Sequence, residues 1–173
     1  ADDVTGALDV VAAFPGGMPH VHVSGYVLLD GGSRAAGLAA LDSARRRGWT
    51  TSVDPQAAAL VREVGAATFL GWVHGVDLLL PNAAEAHALG GIDAMLAAVG
   101  AVAVTDGAAG ARWYAAGGLA GEVAAQRVEA VDTTGAGDAF NGGLLAAWVA
   151  GADPQAALAA GVAAGTAVVA GRV

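Results

Sequence analysis

The chain of 173 residues has no cysteine, no lysine, five prolines and few aromatic residues, and each scarcity excludes something. Without cysteine there is no disulfide framework, no thiolate metal site and no cysteine nucleophile. All eight basic residues are arginine, set against sixteen acidic ones, for a net charge of −8. The longest basic run is Arg45-Arg46-Arg47. A surface of this sign repels a phosphate backbone, so nucleic acid is not an expected partner. The arginine triplet closes a helical pattern over 33–47 just before Gly48, where it complements the negative end of the helix dipole. Long apolar runs are missing too. The stretch 156–171 is mostly Ala and Gly and falls short of the roughly 20 strongly apolar residues of a membrane span. Asp153-Pro154 opens it like a helix start, which predicts a buried helix and no membrane partner. No secretory signal pattern is evident at the start of the chain.

What is present is apolar and small. Hydrophobic residues make up 55% of the chain, and Ala, Gly and Val dominate. That content and length predict one α/β domain over 1–173 with a real core. Strand patterns are expected at 20–24, 50–53, 77–80, 101–105, 111–115 and 121–131. Helical patterns are expected at 33–47, 56–64, 66–73, 82–89, 92–99, 136–150 and 154–169. Strands separated by single helices imply a mainly parallel sheet covered on both faces, a three-layer α-β-α arrangement. Ser24, Asp54, Asn82, Thr105 and Asp132 fall at carboxyl ends of strands, where such sheets collect ligands.

The segment richest in chemistry is Asp132-Thr133-Thr134-Gly135-Ala136-Gly137-Asp138-Ala139-Phe140. It follows the apolar Val128–Val131 and runs into a helix carrying Phe140, Leu144, Leu145, Trp148 and Val149. Gly135, Ala136 and Gly137 then occupy the first helical turn, whose backbone N–H groups lack intrahelical acceptors. Small side chains let those amides close around a phosphate, helped by the dipole. A carboxylate at 138 repels such an anion, a cost that makes sense if Asp138 takes a proton from an attacking hydroxyl. An anion hole beside a base is what phosphoryl transfer to an alcohol requires. A plain helix start with a capping acid is the simpler reading of the same residues.

At Asp-Thr-x-Gly-Ala-Gly-Asp-x-Phe, matched here without a gap, the chain resembles the ribokinase-like (phosphofructokinase-B type) family of sugar and nucleoside kinases. The resemblance implies Asp138 as catalytic base and the amides of Gly135, Ala136 and Gly137 as the anion hole. Two further segments agree. In Leu80-Pro81-Asn82-Ala83-Ala84-Glu85, Asn82 and Glu85 are spaced as a capping box. The resemblance places the same pair beside the ATP phosphates, with Glu85 organising Mg²⁺ through its waters. In Thr105-Asp106-Gly107-Ala108-Ala109-Gly110, a tight turn between strands, Thr105, Gly107 and Gly110 would line the nucleotide site. Asp106 departs from the apolar or basic residue usual there. Asp132 and Thr134 match positions that hold a monovalent cation in the family, which extends the cofactors from ATP and Mg²⁺ to K⁺.

The resemblance covers the C-terminal part of the family only. The Gly-Gly-x-x-x-Asn sugar signature and the N-terminal strands with their β-lid have no counterpart; Gly16-Gly17 lacks the following Asn. The implied function is ATP-dependent phosphorylation of a hydroxyl on a sugar or nucleoside-type small molecule. The implied setting is cytoplasmic, with a homodimer as one option. The missing part supplies most sugar contacts in the family, so little or no turnover is expected of this polypeptide alone. A truncated or degenerate kinase that binds nucleotide or a partner without turnover is therefore the second reading. A Rossmann fingerprint at Gly135-x-Gly137 fails, because Phe140 stands where a third Gly belongs. His20 and His22, two apart, share one strand face without a third metal ligand nearby.

Overall fold

The computed structural model describes residues 19–126, 128 and 133–171. The chain divides into two compact units after Val102.

In the first unit, β1 (His20–Ser24) leads through a short helix α1 (Gly25–Leu29) into α2 (Arg34–Arg46). Next come β2 (Thr50–Asp54), α3 (Ala58–Val64), α4 (Ala66–Trp72), β3 (Leu78–Leu79), α5 (Ala83–Ala88) and α6 (Ile92–Leu96). The strand β4 (Ala101–Thr105) then begins. All pairings here are parallel, with His20 opposite Thr50, Ser24 opposite Asp54, Ser52 opposite Leu78 and Leu78 opposite Ala101. That register puts His20, His22, Thr50 and Ser52 on one face and Val21, Val23, Thr51 and Val53 on the other. The apolar side belongs to a core with Leu28, Leu41, Val61, Phe69, Leu79 and Met95, each buried. The polar row satisfies itself. The His20 ring nitrogens lie 2.8 Å from Thr50 Oγ1 and 2.8 Å from Ser52 Oγ, and His22 Nδ1 lies 2.8 Å from Ser52 Oγ.

Helix α1 has no forecast in the sequence pattern, because five residues are too few to show a helical period. Its first residue has a steric reason: a Cβ on Gly25 would sit 2.3 Å from the Pro55 carbonyl oxygen, so the ends of β1 and β2 touch there.

The second unit holds the end of β4, a 3₁₀ turn (Gly107–Ala109), β5 (Ala111–Ala115), β6 (Gly118–Val123), α7 (Ala136–Val149) and α8 (Pro154–Val169). Strands β5 and β6 are antiparallel, with Arg112 opposite Glu122. The strand expected over 121–131 instead spans Gly118–Val123, because Gly117 and Gly118 make the turn with φ of +105° and +107°. Its far end closes against Gly110, where an added Cβ would meet the Val123 carbonyl oxygen at 2.1 Å. Residues 127 and 129–131 of the expected strand lie outside the described residues.

Helices α7 and α8 approach closely through small residues. A Cβ on Gly161 would stand 2.8 Å from Phe140 Cε2, and one on Gly143 2.8 Å from the Ala160 carbonyl oxygen. Phe140, Leu144, Leu158 and Val162 fill the seam, and Trp113 tilts against Trp148 with ring centres 6.0 Å apart. The expected α/β class and mainly parallel sheet hold: a parallel series of strands, then one antiparallel pair. Among the described residues, no helix is long and apolar enough to cross a membrane.

Candidate functional site

In the second unit, helix α7 begins at an N-cap glycine, Gly135, in the left-handed region (φ +78°). The glycine carries no capping side chain, so the helix start stays open. Ala136, Gly137 and Asp138 form its first turn. The Ala136 N–H donates to the Thr133 carbonyl at 3.2 Å. The N–H groups of Gly137 and Asp138 occupy positions for which a helix offers no acceptor. A Cβ on Gly137 would meet no atom within 4 Å. Neither packing nor backbone angle demands glycine at 137, and glycine in a helix costs up to about 1 kcal/mol against alanine. Against the described residues the space beside Gly137 is open, and the residue itself is exposed. Asp138 is exposed at the third helical position, and Thr134 is exposed just before Gly135.

That open turn borders a cavity of about 640 Å³, within the range of small-molecule sites. Thr105, Gly107, Gly110, Ala136 and Gly137 line it together, so five of the expected site residues share one wall system. Phe140 and Val162 supply apolar wall. The Thr105–Gly110 turn is held by its own backbone: the Asp106 N–H donates to the Gly110 carbonyl (2.8 Å) and the Ala109 N–H to the Asp106 carbonyl (2.8 Å). Asp106 itself is exposed. Gly110 (φ +96°) is required by the close backbone of Val123 to Ala125 as well as by the turn. The expected cation residue Asp132 lies outside the described residues.

The first unit carries the acidic part. Asn82 caps α5: its Oδ1 accepts from the Glu85 N–H at 3.0 Å, while Glu85 Oε2 accepts from the Asn82 N–H at 2.9 Å. Asn82 Nδ2 also donates to Glu85 Oε1 at 2.7 Å. The capping box read from the spacing is therefore formed in full. A cap alone does not explain Glu85, which is 3% exposed. Burial raises its carboxyl above the ordinary value, the Asn82 N–H works against that, and the charge of Asp54 raises it further. Asp54, at the end of β2, is 7% exposed. It accepts from the Gln56 N–H at 2.9 Å and Gln56 Nε2 at 3.0 Å. Gln56 is the one described non-glycine residue with positive φ, at +68°.

Burial beside Asp54 favours either a proton on Glu85 or a cation shared by the two carboxylates. Two carboxylates suit a hard divalent ion such as Mg²⁺, and among the described residues no third acid or histidine gathers with them. The sequence reading placed Asp54 at a ligand-collecting strand end without giving it a role. Its signal was the Asp54-Pro55 strand stop, which reads equally well as a turn.

An α/β sheet with an anion-ready helix start beside a nucleotide-sized cavity suits the small-molecule phosphotransferases. The chain belongs to the pfkB family of carbohydrate kinases, whose family model matches residues 8–172. It is similar to a putative ribokinase II from E. coli solved with ATP and Mg²⁺ (TM-score 0.76, 26% identity), covering 87% of this chain and 52% of that one. It is also similar to aminoimidazole riboside kinase from Salmonella enterica, complexed with aminoimidazole riboside and an ATP analogue. That match has a TM-score of 0.74 and 25% identity and covers 91% of this chain and 59% of that one. Adenosine kinase from Sinorhizobium meliloti matches with a TM-score of 0.73 at 25% identity, over 93% of this chain and 50% of that one. The chain therefore spans about half the length of these solved structures.

Proposed function

We propose that this chain carries the phosphoryl-donor part of an ATP-dependent kinase that phosphorylates a hydroxyl on a sugar or nucleoside-type small molecule. The observation that carries the reading is Gly137. It is a glycine that packing does not require, at an open helix turn, on the wall of a cavity shared with Thr105, Gly107 and Gly110. ATP, when bound, supplies the phosphoryl group, and Mg²⁺ supplies charge neutralisation. Asn82, Glu85 and Asp54 are the residues that would hold the metal ion. Of the expected amides, that of Ala136 is donated to Thr133, so the N–H groups of Gly137 and Asp138, with Gly135 beside them, would bind the anionic end of the nucleotide in place of water. Asp138, exposed at the third helical position, would take the proton from the acceptor hydroxyl. Its solvent access leaves room for an acceptor to reach it. The reading sets the reaction in the cytoplasm, with a homodimer as one option for assembly and K⁺ as an optional accessory ion.

Asp138→Asn tests the assignment in any preparation of the protein that shows turnover. It should lower kcat by about 10²–10⁴ while nucleotide affinity stays within about threefold. A kcat within a few-fold of the parent would remove Asp138 from the role of base. The second reading, a nucleotide-binding module without turnover, is favoured by Asp106, an exposed acid in the turn whose Thr105, Gly107 and Gly110 line the cavity. It predicts binding to this chain and no phosphoryl transfer by it.

A further inference from the structure

We infer that Gln56 is a positioning residue for the metal-holding carboxylates: its main-chain and side-chain N–H groups each take one oxygen of Asp54 and hold that group ready for a divalent cation. The inference rests on the reading of Asp54 and Glu85 as residues that would hold Mg²⁺.

Gln56 is held in a costly backbone conformation. Among the described residues it is the one non-glycine with positive φ, at +68°. The Ala57 N–H donates to the Pro55 carbonyl at 2.9 Å, so Pro55, Gln56 and Ala57 close a tight turn around it. A γ-turn of this hand is rare and strained. Glycine takes such a φ without steric cost, and Asn or Asp takes it more readily than a long side chain does. Contact fixes the place of the turn. The Pro55 carbonyl oxygen lies against Gly25, where a Cβ would stand only 2.3 Å from it.

That conformation brings two donors to one acid. The Gln56 N–H reaches Asp54 Oδ1 at 2.9 Å, and Gln56 Nε2 reaches Asp54 Oδ2 at 3.0 Å. One donor on each oxygen fixes the plane of the carboxylate. A carboxylate has about four acceptor sites, so these two bonds by themselves use half of them. A glycine at 56 would keep the main-chain bond and lose the other. Asp54 is buried, and its charge is felt at Glu85. Residues that orient a metal ligand account for about 10–100-fold in metal affinity. Strain kept at a residue where glycine would turn freely points to a side chain in use.

The test is uptake of Mn²⁺, a hard divalent ion that takes the same oxygen ligands as Mg²⁺, by this chain. Loss of the free-ion paramagnetic resonance signal reads the affinity of the parent, Asp54→Asn, Gln56→Gly and Gln56→Met. The parent should take up Mn²⁺ at a site that Asp54→Asn removes. Gln56→Gly and Gln56→Met both lack the Nε2 donor, and each should weaken uptake by about tenfold or more. Their urea midpoints should separate, with Gln56→Gly the higher, because only glycine relieves the backbone. A smaller loss of affinity in either variant would overturn the inference and leave the metal reading standing, since the effect would then not follow the amide. A Gln56→Met midpoint at or above that of Gln56→Gly would overturn it as well, by removing the strain. No uptake by the folded parent, or uptake that survives Asp54→Asn, would overturn the metal reading and the inference with it.

Discussion

The side-chain amide of Gln155 pairs with both main-chain polar groups of Glu122. Gln155 Oε1 accepts the Glu122 N–H at 3.0 Å, and Gln155 Nε2 donates to the Glu122 carbonyl at 2.9 Å. Strand β6 stands last in the strand order, so these groups face away from β5. On the other side the Glu122 side chain meets Arg112 Nε at 2.6 Å across the ladder. Helix α8 brings Gln155 into place through Pro154 at its start and Asp153, whose Oδ1 caps the Ala156 N–H at 2.8 Å. An unpaired strand edge recruits other edges, and here one amide side chain stands where a further strand would bond.

Gln155→Ala should therefore expose a bonding site on β6. Stability should fall by only about 1 kcal/mol, the usual worth of such bonds. Self-association should rise with concentration, read by light scattering, and Gln155→Glu should share the defect because it cannot donate to the carbonyl. A strictly monodisperse Gln155→Ala protein at high concentration would count against this role.

Gly137 sets stability against binding. Gly137→Ala should stabilise α7 by up to about 1 kcal/mol, since glycine is the poorer helix former and a Cβ meets nothing there. The same methyl would stand in the cavity wall and should weaken nucleotide binding. Thermal melts and calorimetry on one sample separate the two effects. A variant that gains stability and binds as well as the parent would show that the space at 137 is not used.

Glu85 distinguishes a cap from a metal residue. Glu85→Gln keeps an acceptor for the Asn82 N–H and removes a buried charge that Asp54 repels, but sets an amide donor against Asn82 Nδ2. With the two effects opposed, folding stability should change by no more than about 1 kcal/mol. Mg²⁺-dependent nucleotide binding should weaken by about tenfold or more, the usual loss when a metal site's supporting residue is changed. Asn82→Ala should instead cost about 1 kcal/mol of stability through the lost cap. If Glu85→Gln lowers stability and leaves Mg²⁺ dependence intact, the pair is a cap alone.

His20 makes the first unit sensitive to mild acid. Burial, with the neighbouring His22, lowers its imidazole from 6.5 to about 4, while Asp77 pulls the other way. Above pH 6.5 the ring is neutral in both folded and unfolded chains and contributes nothing to pH dependence. Between about 6.5 and 4 the unfolded chain takes the proton first, so stability falls as pH falls. The slope should reach at most about 1.4 kcal/mol per pH unit. Urea unfolding at several pH values should show this slope, and His20→Gln should flatten it. An unchanged slope in the variant would assign the acid sensitivity to other groups.

Much of the local structure is legible in the chain. The capping box at Asn82 and Glu85 was read from spacing alone, because both of its bonds close within four residues. Strand β1 and helices α7 and α8 followed from pattern and caps, and α7 opens at the glycine of the motif. The missed pieces depend on distant partners. Helix α1 exists where Gly25 lies against Pro55, and β6 begins and ends where Gly117 turns and Gly110 receives the Val123 backbone. Neither contact leaves a periodic signal.

The candidate site divides the same way. By itself, the sequence determined the motif: an open, glycine-led helix start with Asp138 in its first turn, because helix starts are governed by the few residues around them. Tertiary structure alone decided that Thr105, Gly107, Gly110, Ala136 and Gly137 wall one cavity, since segments that far apart in the chain meet only when the second unit folds. It also decided that Asp54 and Glu85 are buried within reach of each other's charge. Burial depends on what the rest of the chain packs around a residue, and no local pattern encodes that.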